Sequence, residues 1–184
     1  MNFNAAHLHI MLNHFPIVGV FAGTGLLTLW LLWRKEGIAV AGLWTLVGSG
    51  LSAVPVYILG NEAEDVVENM PGITHAAIER HQEAALWVLI GLLVLAVLSA
   101  WILWRRRAGR VPRGPILAVW VLALVASGIT AWAAELGGEI HHPEIRPGWM
   151  PPAGTEKGAP AGEEGTTLTA PGVRLPASAE SRSA

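Results

Sequence analysis

The chain has 184 residues, of which 52% are apolar and only 14% are charged, against about 25% charged residues in a typical soluble domain. This composition argues against a soluble enzyme and against a disordered chain, and the net charge of −2 gives no general attraction to nucleic acid. The absence of cysteine excludes disulfides, iron–sulfur clusters and haem attached covalently through a Cys-x-x-Cys-His motif.

Four stretches without a charged residue are long enough to cross a bilayer. About 20 apolar residues, at about 1.5 Å of helix each, cover the roughly 30 Å of hydrocarbon. No polar face repeats at helical spacing, so we expect an all-α, integral membrane four-helix bundle rather than a soluble one. The predicted spans are residues 15–33, 37–60, 84–104 and 114–134.

Charge predicts how the bundle is oriented. The short loops 34–36 and 105–113 hold seven basic residues and one acid, whereas the opposite side holds Arg80 and Arg146 against nine acids. The positive-inside rule then places both short loops in the cytoplasm and both termini outside. Nine tryptophans, several of them at the ends of spans, are typical of interfacial anchors.

The outer connection between the second and third spans is predicted to be partly helical. Asn61 can cap a short helix, with Glu64 at the third position as in a capping box. Pro71 and Gly72 are expected to end that helix. Thr74 can then cap a helix that runs straight into the third span.

Small residues inside the spans predict close packing between helices rather than a binding site. These residues are Gly19, Gly23 and Gly25 in the first span, Gly48, Gly50 and Ser52 in the second, and Ser127 and Gly128 in the fourth. The membrane domain is therefore expected over residues 1–146. Residues 147–184 are rich in Pro, Gly and Ala, which predicts a disordered tail.

The seven histidines fall in one layer of the predicted bundle. All of them lie at the outer ends of the first, third and fourth spans, so three distant segments bring imidazoles to one height in the membrane. Imidazole is a common ligand of metal ions and of haem iron, and bundles build such sites from facing helices. The histidines are His7, His9, His14, His75, His81, His141 and His142.

Spacing within this layer leaves several ligand sets open. His7 and His14 share a face only on one continuous helix, and Pro16 can instead begin the span with His14 in the lead-in. His75 and His81 lie about 120° apart around a helix, so both do not point squarely into one small site.

The residues alone therefore give a broad set of metal-ligand candidates. Gly137 and Gly138 are expected to end the fourth helix before the last two histidines. The expected bystanders are His9 and one of His141 and His142. The candidate metal ligands are His7, His14, His75, His81, His141 and His142.

Two segments resemble a known family. HLHIMLNHFPIVG at 7–19 and GNEAEDVVENMPGITHAAIERHQEAA at 60–85 are similar to the bacterial domain-of-unknown-function 2231 (DUF2231) family of small, His-rich, four-helix membrane proteins, and the resemblance covers about residues 5–142. The family is grouped with b-type membrane cytochromes. The resemblance implies a bacterial inner membrane location and haem b, with cofactor ligands among His9, His14, His75 and His81. One departure is Gln82, which follows His81 where the family carries Glu.

Three function classes follow. The first is a b-type haem protein that transfers electrons at the outer, periplasmic face as a subunit or partner of a redox complex, with His14 and either His75 or His81 as the axial pair. The second is copper or zinc handling, to which Met11 and Met70 would contribute for copper. The third is a structural or assembly subunit without a cofactor.

The partners expected in any of these classes are the lipid bilayer and other membrane or periplasmic redox proteins, with no nucleic acid. Assembly into a homo-oligomer is compatible with each of the three classes. No nucleophile–base arrangement, phosphate loop or paired-carboxylate motif supports an independent enzyme, so an electron carrier or accessory subunit is favoured.

Overall fold

In the computed structural model the chain is a bundle of long α-helices, described for residues 4–68, 70, 72–109, 113–146 and 148–150. The helices are α1 (Ala5–Leu12), α2 (His14–Trp33), α3 (Glu36–Val67), α4 (His75–Arg106) and α5 (Arg113–His141), and a 3₁₀ turn covers Pro143–Ile145. Four segments are long and apolar enough to cross a membrane, with α1 and α2 forming one of them. The predicted all-α four-span bundle is confirmed, and the predicted tail falls almost entirely outside the described residues.

The four spans form a ring. α2 packs on α3, α3 on α4, α4 on α5 and α5 back on α2, while α1 continues the first span along α3. The first span and α4 therefore lie diagonally across the bundle. We call the end where α1 begins and α3 ends the histidine end, and the opposite end, which carries 34–36 and 105–109, the arginine end.

Apolar side chains cover the outside of the bundle as well as its centre. Leu27, Leu43 and Leu95 are almost completely buried in the core, yet Leu51 and Val97 on the same helices expose about two thirds of their surface. A soluble bundle would carry polar residues at these outer positions, so the exterior matches a hydrocarbon solvent. The hydrophobic core lies in the half of the bundle toward the arginine end, where leucines from facing helices meet.

The first span breaks at Asn13, between α1 and α2. Pro16 occupies the first turn of α2, where its missing N–H removes no helical hydrogen bond. Its carbonyl accepts a hydrogen bond of 2.8 Å from the Ser49 hydroxyl of α3. The sequence left the continuity of this segment open, and the structure resolves it: His14 opens α2 and does not share one helix with His7.

Close helix packing is confirmed for only part of the small residues. A Cβ added at Gly19, Gly23 or Gly50 would clash with a neighbouring helix, and Ser127 is buried within 3.1 Å of the Thr24 hydroxyl. Positions 25, 48 and 128 have open space around them, so the packing prediction was wrong for these glycines. They lie on the outward sides of their helices.

Two predicted helix boundaries were also wrong. Asn61 does not cap a new helix, because α3 continues through it to Val67 and each residue of that extension gains an intrahelical hydrogen bond. The glycines at 137 and 138 do not end α5, which runs on to His141. Thr74 does precede α4 as predicted, although its side chain makes no capping hydrogen bond. Pro71 lies outside the described residues.

The contrast between Gly48 and Gly50 gives a direct test of the α3–α4 contact. A Cβ at position 50 would lie 2.5 Å from the Leu92 carbonyl oxygen and 2.6 Å from the Ala96 Cβ. We expect Gly50→Ala to cost about 1–3 kcal/mol and to lower the Tm of detergent-purified protein by several degrees. Gly48→Ala in the same helix should be neutral or slightly stabilising. Equal melting temperatures for the two variants would contradict the described helix contact.

Candidate functional site

A large cavity lies at the histidine end, between the helices of the bundle. Its volume is about 640 Å³, and residues from all five helices line it. Most of the wall is apolar, formed by side chains such as Ile17, Ala53, Val88 and Leu89. Its polar lining residues include His9, Asn13, His14, Tyr57, Glu64, His81, Gln82, Thr130 and His142. The size and the few convergent polar groups are typical of a site for a small molecule or cofactor.

His9 of α1 is fixed against α3. Its Nδ1 lies 3.0 Å from the carbonyl oxygen of Val56, and the side chain is half-buried. The ring rests on Gly60, one helical turn after Val56, where a Cβ would lie only 3.0 Å from the His9 Cε1. His9, which the residues alone placed among the expected bystanders, is thus an interhelical contact at the cavity wall.

His81 of α4 repeats this arrangement against α5. Its Nδ1 lies 3.0 Å from the carbonyl oxygen of Ala133, and the side chain is half-buried. A Cβ at Gly137, again one turn after the accepting residue, would lie 2.8 Å from the His81 Cε1. The same contact thus occurs twice, once in each helix pair of the bundle.

Both contacts fix the imidazole tautomer. A backbone carbonyl can only accept a hydrogen bond, so Nδ1 carries the proton in His9 and in His81. The second ring nitrogen is Nε2, the atom through which a histidine commonly ligates a metal while its other nitrogen donates to a carbonyl. Since α1 and α4 lie diagonally across the bundle, the two rings line one cavity from opposite spans.

The other histidines have different environments. His14 lines the cavity with an exposed side chain, and His142 lines it from beyond the end of α5. His7 and His75 are exposed and are not among the cavity-lining residues. His141 ends α5, and its side chain lies outside the described part of the chain. Of the four cofactor-ligand candidates, the cavity brings together His9, His14 and His81 but leaves out His75.

A polar network crosses from α3 to α4 at the cavity wall. The Gln82 amide donates a hydrogen bond of 2.7 Å to the Glu64 carboxylate. His75 lies 3.8 Å from the other Glu64 oxygen and 3.4 Å from the Glu79 carboxylate. An amide at position 82 is thus a donor to Glu64, whereas a second carboxylate there would place two like charges together.

His142 and Glu144 form an exposed pair beyond α5. The pKa of Glu144 lies below its usual value because its own backbone N–H and then the His142 ring hydrogen-bond the carboxylate, with 2.8 Å between His142 Nδ1 and Glu144 Oε1. The pair is open to solvent, so it contributes little to stability.

Asn13 leaves an unsatisfied polar atom at the cavity. Among the described residues, its Oδ1 and the hydroxyl of Ser99 are the buried side-chain polar atoms without a hydrogen-bond partner. Asn13 lines the cavity, and a buried acceptor without a donor costs about 1–3 kcal/mol. A cavity occupant with a polar group could satisfy this amide. The sequence alone does not single out Asn13, because its burial at the cavity depends on the break between α1 and α2.

The described residues give no ready-made metal centre. In residues 4–68, 70, 72–109, 113–146 and 148–150, no group of three or more His, Cys, Asp or Glu side chains is arranged to hold a metal ion. Met11 and Met70 are exposed and do not line the cavity. A copper or zinc site would need ligands to move together or to come from outside these residues.

A family model described as "Predicted membrane protein (DUF2231)" matches residues 5–142. No curated protein and no solved structure matches this chain. The matched range begins at the start of α1 and ends just after α5, so it includes the whole cavity.

The glycines under the two rings can be tested separately. In ligand-free protein at pH 8, we expect imidazole nitrogen NMR to report the Nδ1–H tautomer for His9 and His81. Gly60→Ala should displace the ring of His9 alone and Gly137→Ala that of His81 alone, because a new Cβ takes the ring's place. Gly128→Ala, on an open face of α5, is the matched control and should alter neither resonance. An Nε2–H tautomer in the unmodified protein would contradict the geometry.

Proposed function

We propose a haem-binding, electron-transferring role for this chain, which belongs to the DUF2231 family of predicted membrane proteins. In this proposal the cavity at the histidine end binds haem b, and the protein transfers electrons at that end. His9 and His81 are the residues that would hold the haem iron. The observation that carries the proposal is the repeated Nδ1–H···O=C contact of these two half-buried histidines, which line one apolar cavity from diagonal spans.

The cavity suits a large, mostly apolar ligand. A volume of about 640 Å³ falls within the range of cofactor sites, roughly 300–1,000 Å³. Non-covalent haem also needs imidazole ligands and an apolar slot between helices, and both are present in the same cavity. The absence of cysteine restricts the proposal to haem held without thioether bonds.

The chain's own residues determine how such a ligand is held. The Val56 and Ala133 carbonyls orient the two imidazoles and increase their basicity, as outer hydrogen bonds do in metal sites. The apolar lining excludes water and so affects the reduction potential. Asn13 offers a polar contact at the wall. Bound haem would supply a one-electron Fe(III)/Fe(II) couple.

Electron exchange is proposed to stay at one membrane face. All seven histidines precede or follow the predicted spans on the side of the histidine end. The loops at the arginine end contain no histidine, so they offer no second imidazole pair for a transmembrane path. The positive-inside rule favours a periplasmic histidine end for the proposed bacterial inner membrane protein. A periplasmic or membrane redox protein is therefore the proposed partner.

A cofactor-free assembly subunit and a copper or zinc protein are the competing functions. The Nδ1–H tautomer would serve a small metal ion equally well, but the described residues provide no third ligand close enough. The size of the cavity also exceeds what one ion requires, which favours haem over a metal alone.

Two matched histidine pairs test the proposal. Protein purified from haem-sufficient cells should show a low-spin oxidised spectrum and reduced b-type bands. We expect His9→Ala or His81→Ala to lower bound haem at least about tenfold or to convert it to a high-spin form. Loss of a residue that hydrogen-bonds a metal ligand already lowers affinity about 10–100-fold, and loss of the ligand itself should lower it at least as much. His7→Ala on α1 and His75→Ala on α4 are the controls and should keep the spectrum.

Imidazole rescue separates ligation from misfolding. His9→Gly or His81→Gly protein given imidazole should regain the low-spin spectrum, since free imidazole can fill the position left by the ring. A spectrum that survives both alanine variants but is lost in His14→Ala would overturn the assignment of His9 and His81 as haem ligands. Folded protein without haem would overturn the proposed function, and stoichiometric copper or zinc in that sample would favour metal handling.

A further inference from the structure

A second cavity lies at the arginine end, between α3 and α4. Its volume is about 380 Å³, and it shares no lining residue with the histidine-end cavity. Val40 and Trp44 of α3 and Leu103 of α4 form part of its apolar wall, and Arg106 and Arg107 lie where α4 ends. We call it the arginine groove.

The arginine groove has the polarity profile of the membrane interface. Trp44 and Trp104 line it with more than half of their surface exposed, as expected of tryptophans at the boundary between hydrocarbon and headgroups. Apolar side chains, these tryptophan rings and two guanidinium groups thus line one groove. This combination corresponds to an acyl chain next to a polar headgroup.

An ion pair holds one arginine across the mouth of the groove. Arg106 donates to the Glu36 carboxylate at 3.3 Å, which links the end of α4 to the start of α3, and its side chain is 31% exposed. Arg107, the C-cap of α4, is exposed beside it. The short loops at this end carry seven basic residues and Glu36 as their one acid, so a positive charge remains after the pair has formed.

We propose that the arginine groove binds an anionic phospholipid, with one acyl chain along the apolar wall and the phosphate at Arg106 and Arg107. Guanidinium groups bind phosphate through paired, charge-assisted hydrogen bonds. Basic pockets between membrane helices bind anionic headgroups in the same way. The complementary charge excludes a zwitterionic lipid as an equal occupant, and this site does not depend on haem binding.

Native mass spectrometry of the full-length protein can measure lipid preference. Phosphatidylglycerol and phosphatidylcholine with identical acyl chains are titrated in parallel. An arginine near an anionic lipid is worth about fivefold in affinity, so the pair predicts roughly a 30-fold preference for phosphatidylglycerol. The double variant Arg106→Gln/Arg107→Gln should reduce it to threefold or less. Arg105→Gln/Arg113→Gln removes the same charge at the same end but outside the groove, and should keep most of the preference.

A second variant tests the apolar part without changing charge. Ala100 lines the groove and is exposed, so Ala100→Trp should fill it while leaving the fold and both arginines intact. We expect at least a tenfold loss of phosphatidylglycerol binding with an unchanged Tm in lipid-free detergent. Equal binding of the two lipids would overturn the proposal. It would also be overturned by equal losses in the two double-arginine variants, or by displacement of the lipid by millimolar inorganic phosphate, which would indicate a site for free anions.

Discussion

The histidine end depends on one repeated interaction, the hydrogen bond from an imidazole Nδ1–H to a backbone carbonyl on the next helix. Each ring can reach its carbonyl only because a glycine lies one turn further along that helix, at Gly60 and Gly137. The contact sets the register of α1 on α3 and of α4 on α5, and it fixes the tautomer of both rings. Breaking either bond would leave a half-buried imidazole and a helix carbonyl without this partner, which makes the arrangement costly to alter.

The bundle divides into regions with different packing. Leucines and close glycine contacts fill the half toward the arginine end, where Gly23 of α2 meets Leu46 of α3. At the histidine end the helices instead enclose a large cavity walled by small and apolar residues, with polar groups at a few points. A stable packed half therefore supports a half that has room for a ligand. The arginine groove adds a separate apolar surface next to basic side chains at the membrane boundary.

Particular residues show which predictions depended on local information. The spans could be predicted because the length and hydropathy of an uncharged apolar run are read from consecutive residues. The start of α4 after Thr74 could be predicted from the turn-forming residues next to it. Asn61 was misassigned because a capping pattern competes with an extension of α3 that contacts with distant segments stabilise, such as the hydrogen bond from Gln82 to Glu64. The interhelical contact of His9 was not predicted for the same reason. Nothing near His9 in the sequence indicates its contact with Val56 and Gly60 on another helix. The pairing of a histidine with a glycine, which occurs twice, is visible only in the structure.

The sequence by itself determined the four-helix membrane bundle, the layer of seven histidines at one end and the excess of arginine at the other, because hydropathy and charge act along the chain through the bilayer. Only the tertiary structure decided which histidines line a common cavity and which nitrogen of His9 and His81 carries the proton. These properties depend on contacts between helices about 50 residues apart, such as His81 with Ala133. Helix register and ring orientation fix them, and no local pattern encodes either.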